Sequence, residues 1–178
     1  MKEIFSQQTE NTLGENGRVV LVVLRPPDLS QRQAESYIEE LDNLVDTLGM
    51  ESVEEIVVPV KKVSPKYLVG SGKAEEIRRV ADAHDAECIV FDDTISPAQQ
   101  RNWERLTDKC VIDRQEVILE IFSRRARTKE AILQVALARM EYSLPRLTRA
   151  WTHLSRQRGG TRGTRGEGET QLENDRRI

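Results

Sequence analysis

Six consecutive aliphatic side chains follow Arg18 in the run RVVLVVL at residues 18–24. A half-exposed strand alternates apolar and polar residues, so an unbroken β-branched and aliphatic run needs cover on both faces, as in the interior of a parallel sheet. Arg25-Pro26-Pro27 then stops the strand, since proline has no amide hydrogen to give to a ladder. This one run directs the chain to an α/β architecture, in which helices pack on both sides of a sheet.

The residues up to 112 supply those helices in alternation with further strands. Ser30 is a suitable N-cap, and Ala34, Ile38, Leu41, Leu44, Val45 and Leu48 recur at three- and four-residue intervals until Gly49, a suitable C-terminal stop. Residues 55–60 (EIVVPV) read as the next strand, put at an edge or frayed by Pro59. Residues 61–69 (KKVSPKYLV) lead to Gly70-Ser71-Gly72, and residues 73–84 are helical through Ala74, Ile77, Val80 and Ala81. A third buried strand at 87–91 (ECIVF) ends in Asp92-Asp93, Ser96-Pro97 opens a helix over 98–106, and 110–112 is a short fourth strand before Asp113-Arg114. The expectation is a small, open, mostly parallel four-stranded sheet flanked by helices over residues 18–112, preceded by a flexible arm at 1–17.

Residues 114–143 contain neither Gly nor Pro. One continuous helix there would be about 45 Å long at ~1.5 Å per residue. Its middle, residues 123–129 (SRRARTK), has few large apolar side chains, so a projecting or kinked arm is expected, and such an arm needs a packing partner. Leu144-Pro145 should interrupt it, which leaves 113–157 as a long helical arm with an irregular end. Residues 158–168 (RGGTRGTRGEG) hold five glycines and three arginines in eleven positions, a composition suited to a basic loop and not to a packed core. Residues 169–178 (ETQLENDRRI) read as the start of a second, truncated hairpin helix.

Charge is distributed unevenly along the 178 residues. The net charge is -3, yet residues 1–117 carry 14 Lys+Arg against 23 Asp+Glu, whereas 118–178 carry 13 against 7. All of those 13 except Lys129 are arginine, the side chain best suited to bidentate and stacking contacts. Arg146, Arg149, Arg156, Arg158, Arg162 and Arg165 surround Trp151, a combination fitted to the phosphates of a folded RNA, with a solvated or protein-binding tail as the competing reading. The two cysteines, Cys88 and Cys110, make no disulfide scaffold or four-ligand metal site. With no long apolar run and no secretion-signal pattern, neither a membrane span nor export is indicated. A cytoplasmic protein is expected.

Two further clusters admit chemistry. Gly70, Gly72 and Lys73 suggest a phosphate site at a helix start, although Tyr67 and Ala74 stand where a Walker A loop needs Gly and Ser or Thr. A structural turn with a solvated lysine is the competing reading. Asp92, Asp93 and Asp113 follow strand ends, where open sheets bind ligands or divalent metals, but aspartates serve equally as caps there. His84 and His153 lack metal-ligand spacing to the cysteines, and no Ser/His/acid grouping has local support. No catalytic or metal-binding residue is assigned.

Longer motifs carry a family resemblance. Upstream are VGSGK at 69–73 and FDDTISPAQQR at 91–101 with Asn102 and Glu104; then come Asp113-Arg114, ILEIF at 118–122, Arg125-Ala126, TKEA at 128–131 and LPRL at 144–147. LSRQ at 154–157, Gly159-Gly160 and RGEGETQLENDRR at 165–177 complete the set. Over residues 18–178 the chain resembles the N-terminal region of the HflX family of translational GTPases. The resemblance implies an α/β subdomain, two long antiparallel helices joined by the glycine-rich loop, and a GTPase domain that uses GTP and Mg²⁺. It further implies binding to the large ribosomal subunit near the peptidyl-transferase centre, and splitting or rescue of stalled ribosomes under stress. Arg156, Arg158, Gly159, Gly160, Arg162, Gly163, Arg165, Gly166 and Gly168 become the expected RNA contacts, with Arg162 and Arg165 foremost.

Gly70, Gly72 and Lys73 match a family segment linked to nucleotide binding outside the GTPase domain, which admits ATP. Glu167 stands where the family usually has proline, and Thr161-Arg162 where it favours glycine or aliphatic residues; the first adds negative charge to the expected contact. The chain has no phosphate loop with a downstream Asp-x-x-Gly and no Asn-Lys-x-Asp run, so it should not hydrolyse GTP and needs no cofactor of its own. Two alternatives stay open: a nucleotide- or phosphate-binding α/β domain without hydrolysis, and a protein interaction module that uses the long helix.

Overall fold

The structure is a computed structural model, and it describes residues 17–147. Four strands, β1 (Arg18–Arg25), β2 (Glu51–Pro59), β3 (Cys88–Phe91) and β4 (Cys110–Asp113), alternate with helices α1 (Gln31–Thr47), α2 (Ser71–Ala83) and α3 (Pro97–Thr107). Two more helices follow, α4 (Arg114–Arg125) and α5 (Lys129–Leu147). The strands lie in the order β2-β1-β3-β4 with every neighbouring pair parallel.

β1 is central, and its aliphatic run feeds two separate cores. Val20, Val22 and Leu24 face Ala74, Ile77 and Ala81 of α2 and Trp103 of α3. Val19, Leu21 and Val23 face Ala34, Ile38, Leu41 and Val45 of α1 and Val117 and Ile121 of α4. The period of two along a strand thus divides one apolar run between two helical layers.

Local chemistry fixes where the helices begin and end. Ser30 and Ser96 each form a capping box with a glutamine three residues on, Gln33 and Gln99, and Pro97 occupies the first turn of α3. α1 ends as Gly49 takes a left-handed φ of +78°, a region open to glycine without a Cβ clash.

β2 starts at Glu51, four residues before the expected strand, because register with β1 runs from Arg18↔Glu51 to Arg25↔Pro59. Pairing to a central strand overrides the poor strand propensity of Glu51, Glu54 and Glu55. Pro59 ends this edge strand, as its missing amide requires.

The Gly- and Pro-free stretch forms two helices rather than one rod. Ala126 turns extended at φ -65°, ψ 119°, and the Thr128 hydroxyl accepts from the Ala131 amide 3.1 Å away, which caps α5 anew. α4 packs on the sheet through Val117 and Ile121. Pro145 does not interrupt the helix as expected but lies inside α5. Near the helix end it removes just one bond, the one its amide would have made four residues back. The compact unit that holds the sheet runs to Tyr142, and a second begins at Ser143. No helix among the described residues is long and apolar enough to cross a membrane.

Candidate functional site

The structure joins two segments that are far apart in sequence. Gln99, Asn102 and Trp103 occupy positions i, i+3 and i+4 of α3, so their side chains share one helix face. Each donates to a main-chain carbonyl of the segment before α2: Gln99 Nε2 to Ser64 O at 3.1 Å, Asn102 Nδ2 to Lys66 O at 3.1 Å and Trp103 Nε1 to Tyr67 O at 2.9 Å. The segment is also closed on itself, for Ser64 and Leu68 exchange backbone hydrogen bonds of 2.8 and 2.9 Å.

Trp103 is fully buried, with its ring 5.1 Å from that of Phe91 and 5.5 Å from that of Tyr67. Leu68 has φ +66°, a left-handed conformation costly for any side chain with a Cβ. Its own burial and that of Val69 in the α2–α3 core hold it there.

From this anchored segment the chain enters α2. Gly70 is the N-cap and has no side-chain capping bond, and a Cβ added at Gly70 or Gly72 would meet open space. Lys73 lies in the first turn, yet its Nζ is held 2.8–2.9 Å from both oxygens of Glu76. The cation expected to meet a phosphate here is therefore already paired within its own helix.

The aspartates at the strand ends divide by role. Asp113 is fully buried, and its oxygens accept from the Ile95 amide at 3.1 Å, the Glu116 amide at 3.1 Å and the Tyr142 hydroxyl at 3.0 Å. It joins the β3–α3 loop, α4 and α5. Arg114 spans Asp92 at 3.2 Å and Glu40 of α1. Asp93 accepts from the Leu24 amide at 3.4 Å. Burial raises the carboxyl pKa of both Asp92 and Asp93, opposed at Asp92 by Arg114 and at Asp93 by the Leu24 amide. These contacts are those of a framework, and no group of three residues able to hold a metal occurs among the described residues.

Cys88 and Cys110 are register partners across β3 and β4. Burial pushes the Cys88 thiol well up, and Cys110 adds to the shift, so Cys88 is an unreactive core residue. His84 faces Glu54 at 3.6 Å. On the arm, Glu120 pairs with both Arg124 and Arg139, while Arg124 also donates to Leu48 O at 3.0 Å. The expected RNA contacts Arg156, Arg158, Gly159, Gly160, Arg162, Gly163, Arg165, Gly166 and Gly168 lie outside the described residues.

Comparison with known proteins adds what geometry alone does not. Residues 35–123 match the family described as GTP-binding GTPase N-terminal, and residues 125–178 match GTP-binding GTPase Middle Region. The curated relatives include proteins named GTPase HflX from Akkermansia muciniphila, 47% identical over 157 residues, and from Spirochaeta thermophila, 53% identical over 147. The chain belongs to the HflX family of GTPases.

The HflX protein of Escherichia coli strain K12 is 50% identical over 141 residues. These matches take in 88%, 83% and 79% of the chain but only 36%, 36% and 33% of the relatives, so the chain spans about a third of their length. The regions matched are those described as N-terminal and Middle Region. A GTP-binding protein of Sulfolobus solfataricus in complex with GDP shares the fold, with a TM-score of 0.57 and 24% identity over 80% of this chain and 42% of that one. The boundary between the two family matches, at 123–125, falls beside the break between α4 and α5.

Proposed function

We propose that this chain is the ribosome-binding N-terminal portion of an HflX-family GTPase, which meets the RNA of the large subunit through the Arg/Gly segment at 156–168. The full-length protein would split or rescue ribosomes in the cytoplasm, and its C-terminal GTPase domain would supply GTP and Mg²⁺ chemistry. The supporting observation is the family match across 125–178, a region with 12 basic residues against 6 acidic and with five glycines at 159–168. Arginines supply phosphate contacts, and the glycines let a main chain approach an RNA surface closely.

Co-sedimentation with purified large ribosomal subunits at low and moderate salt tests this reading, with an Arg158→Ala, Arg162→Ala, Arg165→Ala variant alongside. Saturable binding that the variant loses is expected. Equal affinity and equal salt dependence in the two proteins would refute the assigned role.

A second reading has one observation in its favour. Leu133, Leu137 and Met140 follow a 4-3 spacing along α5 and are 70%, 59% and 49% exposed, the stripe that a partner helix covers in a coiled-coil seam. The family resemblance implies a second hairpin helix as that partner. The nucleotide-binding alternative draws support only from the glycines at the start of α2, since Lys73 is paired with Glu76.

A further inference from the structure

We propose that residues 61–73 form a second, preformed docking surface for the phosphodiester backbone of a folded RNA, engaged through Lys61, Lys62 and Lys66. The inference rests on the RNA-binding reading above but concerns a different part of the chain. Four of the chain's seven lysines fall in these thirteen residues, and no Asp or Glu interrupts them. The remainder of residues 1–117 carries ten basic side chains against 23 acidic ones. A local block of cations on an otherwise acidic body focuses potential at one place.

Lys61, Lys62 and Lys66 are exposed. None of the three is in an ion pair among the described residues; Lys66 instead lies over the Tyr67 ring, 4.9 Å from its centroid. Lys73, at the end of the segment, is bound to Glu76 and adds no free cation to the surface.

The main chain of the segment is largely satisfied within the protein, the Ser64, Lys66 and Leu68 amides donating to Leu68 O, Ser64 Oγ and Ser64 O. The carbonyl oxygens of Ser64, Lys66, Tyr67 and Leu68 all accept from the protein itself, through Leu68 and Gln99, Asn102, Trp103 and the Ser64 amide in turn. With these main-chain donors and acceptors occupied, what the segment offers a partner is its exposed lysine side chains, which suit an anion. Because α3 and the Ser64–Leu68 exchange already hold its conformation, little ordering entropy remains to be lost on binding.

An acidic protein partner fits less well. Protein interfaces draw their affinity from buried aromatic and aliphatic anchors, and the segment exposes one large aliphatic side chain, Val63 at 50%. Contacts to phosphates need charge and position only.

The test uses the full 178-residue chain and purified large ribosomal subunits across a salt series. A Lys61→Gln, Lys62→Gln, Lys66→Gln variant should bind more weakly, and its salt slope should fall by about 0.7–0.9 for each phosphate it no longer neutralises. The corresponding triple Lys→Arg variant should keep both affinity and slope. Asn102→Ala, which loosens the loop without removing charge, should weaken binding at an unchanged slope, and that split separates positioning from direct phosphate binding.

If the glutamine variant binds as the parent does while the Arg158/Arg162/Arg165 variant fails, this inference falls and the broader function stands. If the parent chain does not bind at either salt, both fall. Saturable ATP binding that the glutamine variant loses, and that competes with the subunits, would overturn the polynucleotide assignment in favour of a nucleotide site.

Discussion

Asp113 offers the sharpest test of how the sheet is joined to the helices that follow it. With no exposed surface, it satisfies the Ile95 and Glu116 amides and the Tyr142 hydroxyl. Asp113→Ala removes an N-cap, worth about 0.5–2 kcal/mol, and leaves the Ile95 amide without this partner in a buried site, which costs about 1–3 kcal/mol. The Tyr142 hydroxyl adds little, because Glu116 Oε2 lies 3.2 Å from it as a second acceptor. The loss should therefore be about 3 kcal/mol.

Asp113→Asn keeps one oxygen for the cap but turns an amide NH₂ toward a donor, so about 2 kcal/mol should be lost. In urea, with a slope of about 2 kcal/mol per molar, that lowers the midpoint by about 1 M. Hydrogen exchange at the Ile95 amide should accelerate in both variants. A loss for Asp113→Ala below about 1 kcal/mol, with slow exchange retained at Ile95, would refute the three-way role and reduce Asp113 to an ordinary cap.

Two other substitutions isolate single terms. Gly49→Ala meets no atom within 4 Å but must keep φ near +78°, so thermal unfolding should show a loss of about 1–2 kcal/mol from backbone conformation alone; Gly49→Asn should lose less. For Asp93, burial raises the folded-state pKa above the unfolded value, so ionisation is harder in the folded protein. Folding stability from this group is accordingly lost as pH rises through that window and is unaffected below the unfolded pKa. Asp93→Asn, whose Oδ1 can still accept from Leu24, should raise the melting temperature at pH 7 and make no difference near pH 3. A gain that grows on acidification would contradict the assignment.

What could be read in the sequence was whatever local pattern determines. The run at 18–24 declared a doubly covered strand, Ser30 and Ser96-Pro97 declared helix starts, and Pro59 declared an edge. Residues whose roles come from distant partners were not legible in the same way. Glu51 to Glu54 look unlike a strand until β1 lies beside them. Thr128 looks unremarkable until α4 has packed its Val117 and Ile121 and the chain must start a new helix. Gln99, Asn102 and Trp103 carried a faint signal, three side-chain donors on one stripe of a helix. Their acceptors lie 35 and 36 residues away in sequence, and no local period reveals them. At the candidate site the glycines and Lys73 were visible, whereas the Glu76 pairing and the inward carbonyls of the loop depended on the fold.

The position of β1 between β2 and β3 also bears on the order in which the chain is made. Its first partner, β2, is complete at Pro59, but its second, β3, ends only at Phe91, 66 residues after β1 ends at Arg25. At roughly 5–20 residues per second of synthesis, the second partner follows β1 by about 3–13 s. For that interval a strand with six consecutive aliphatic side chains has one ladder edge without its partner, the condition under which strands find wrong neighbours. Completion of β3 is thus the event in synthesis at which the central strand first has both of its native neighbours.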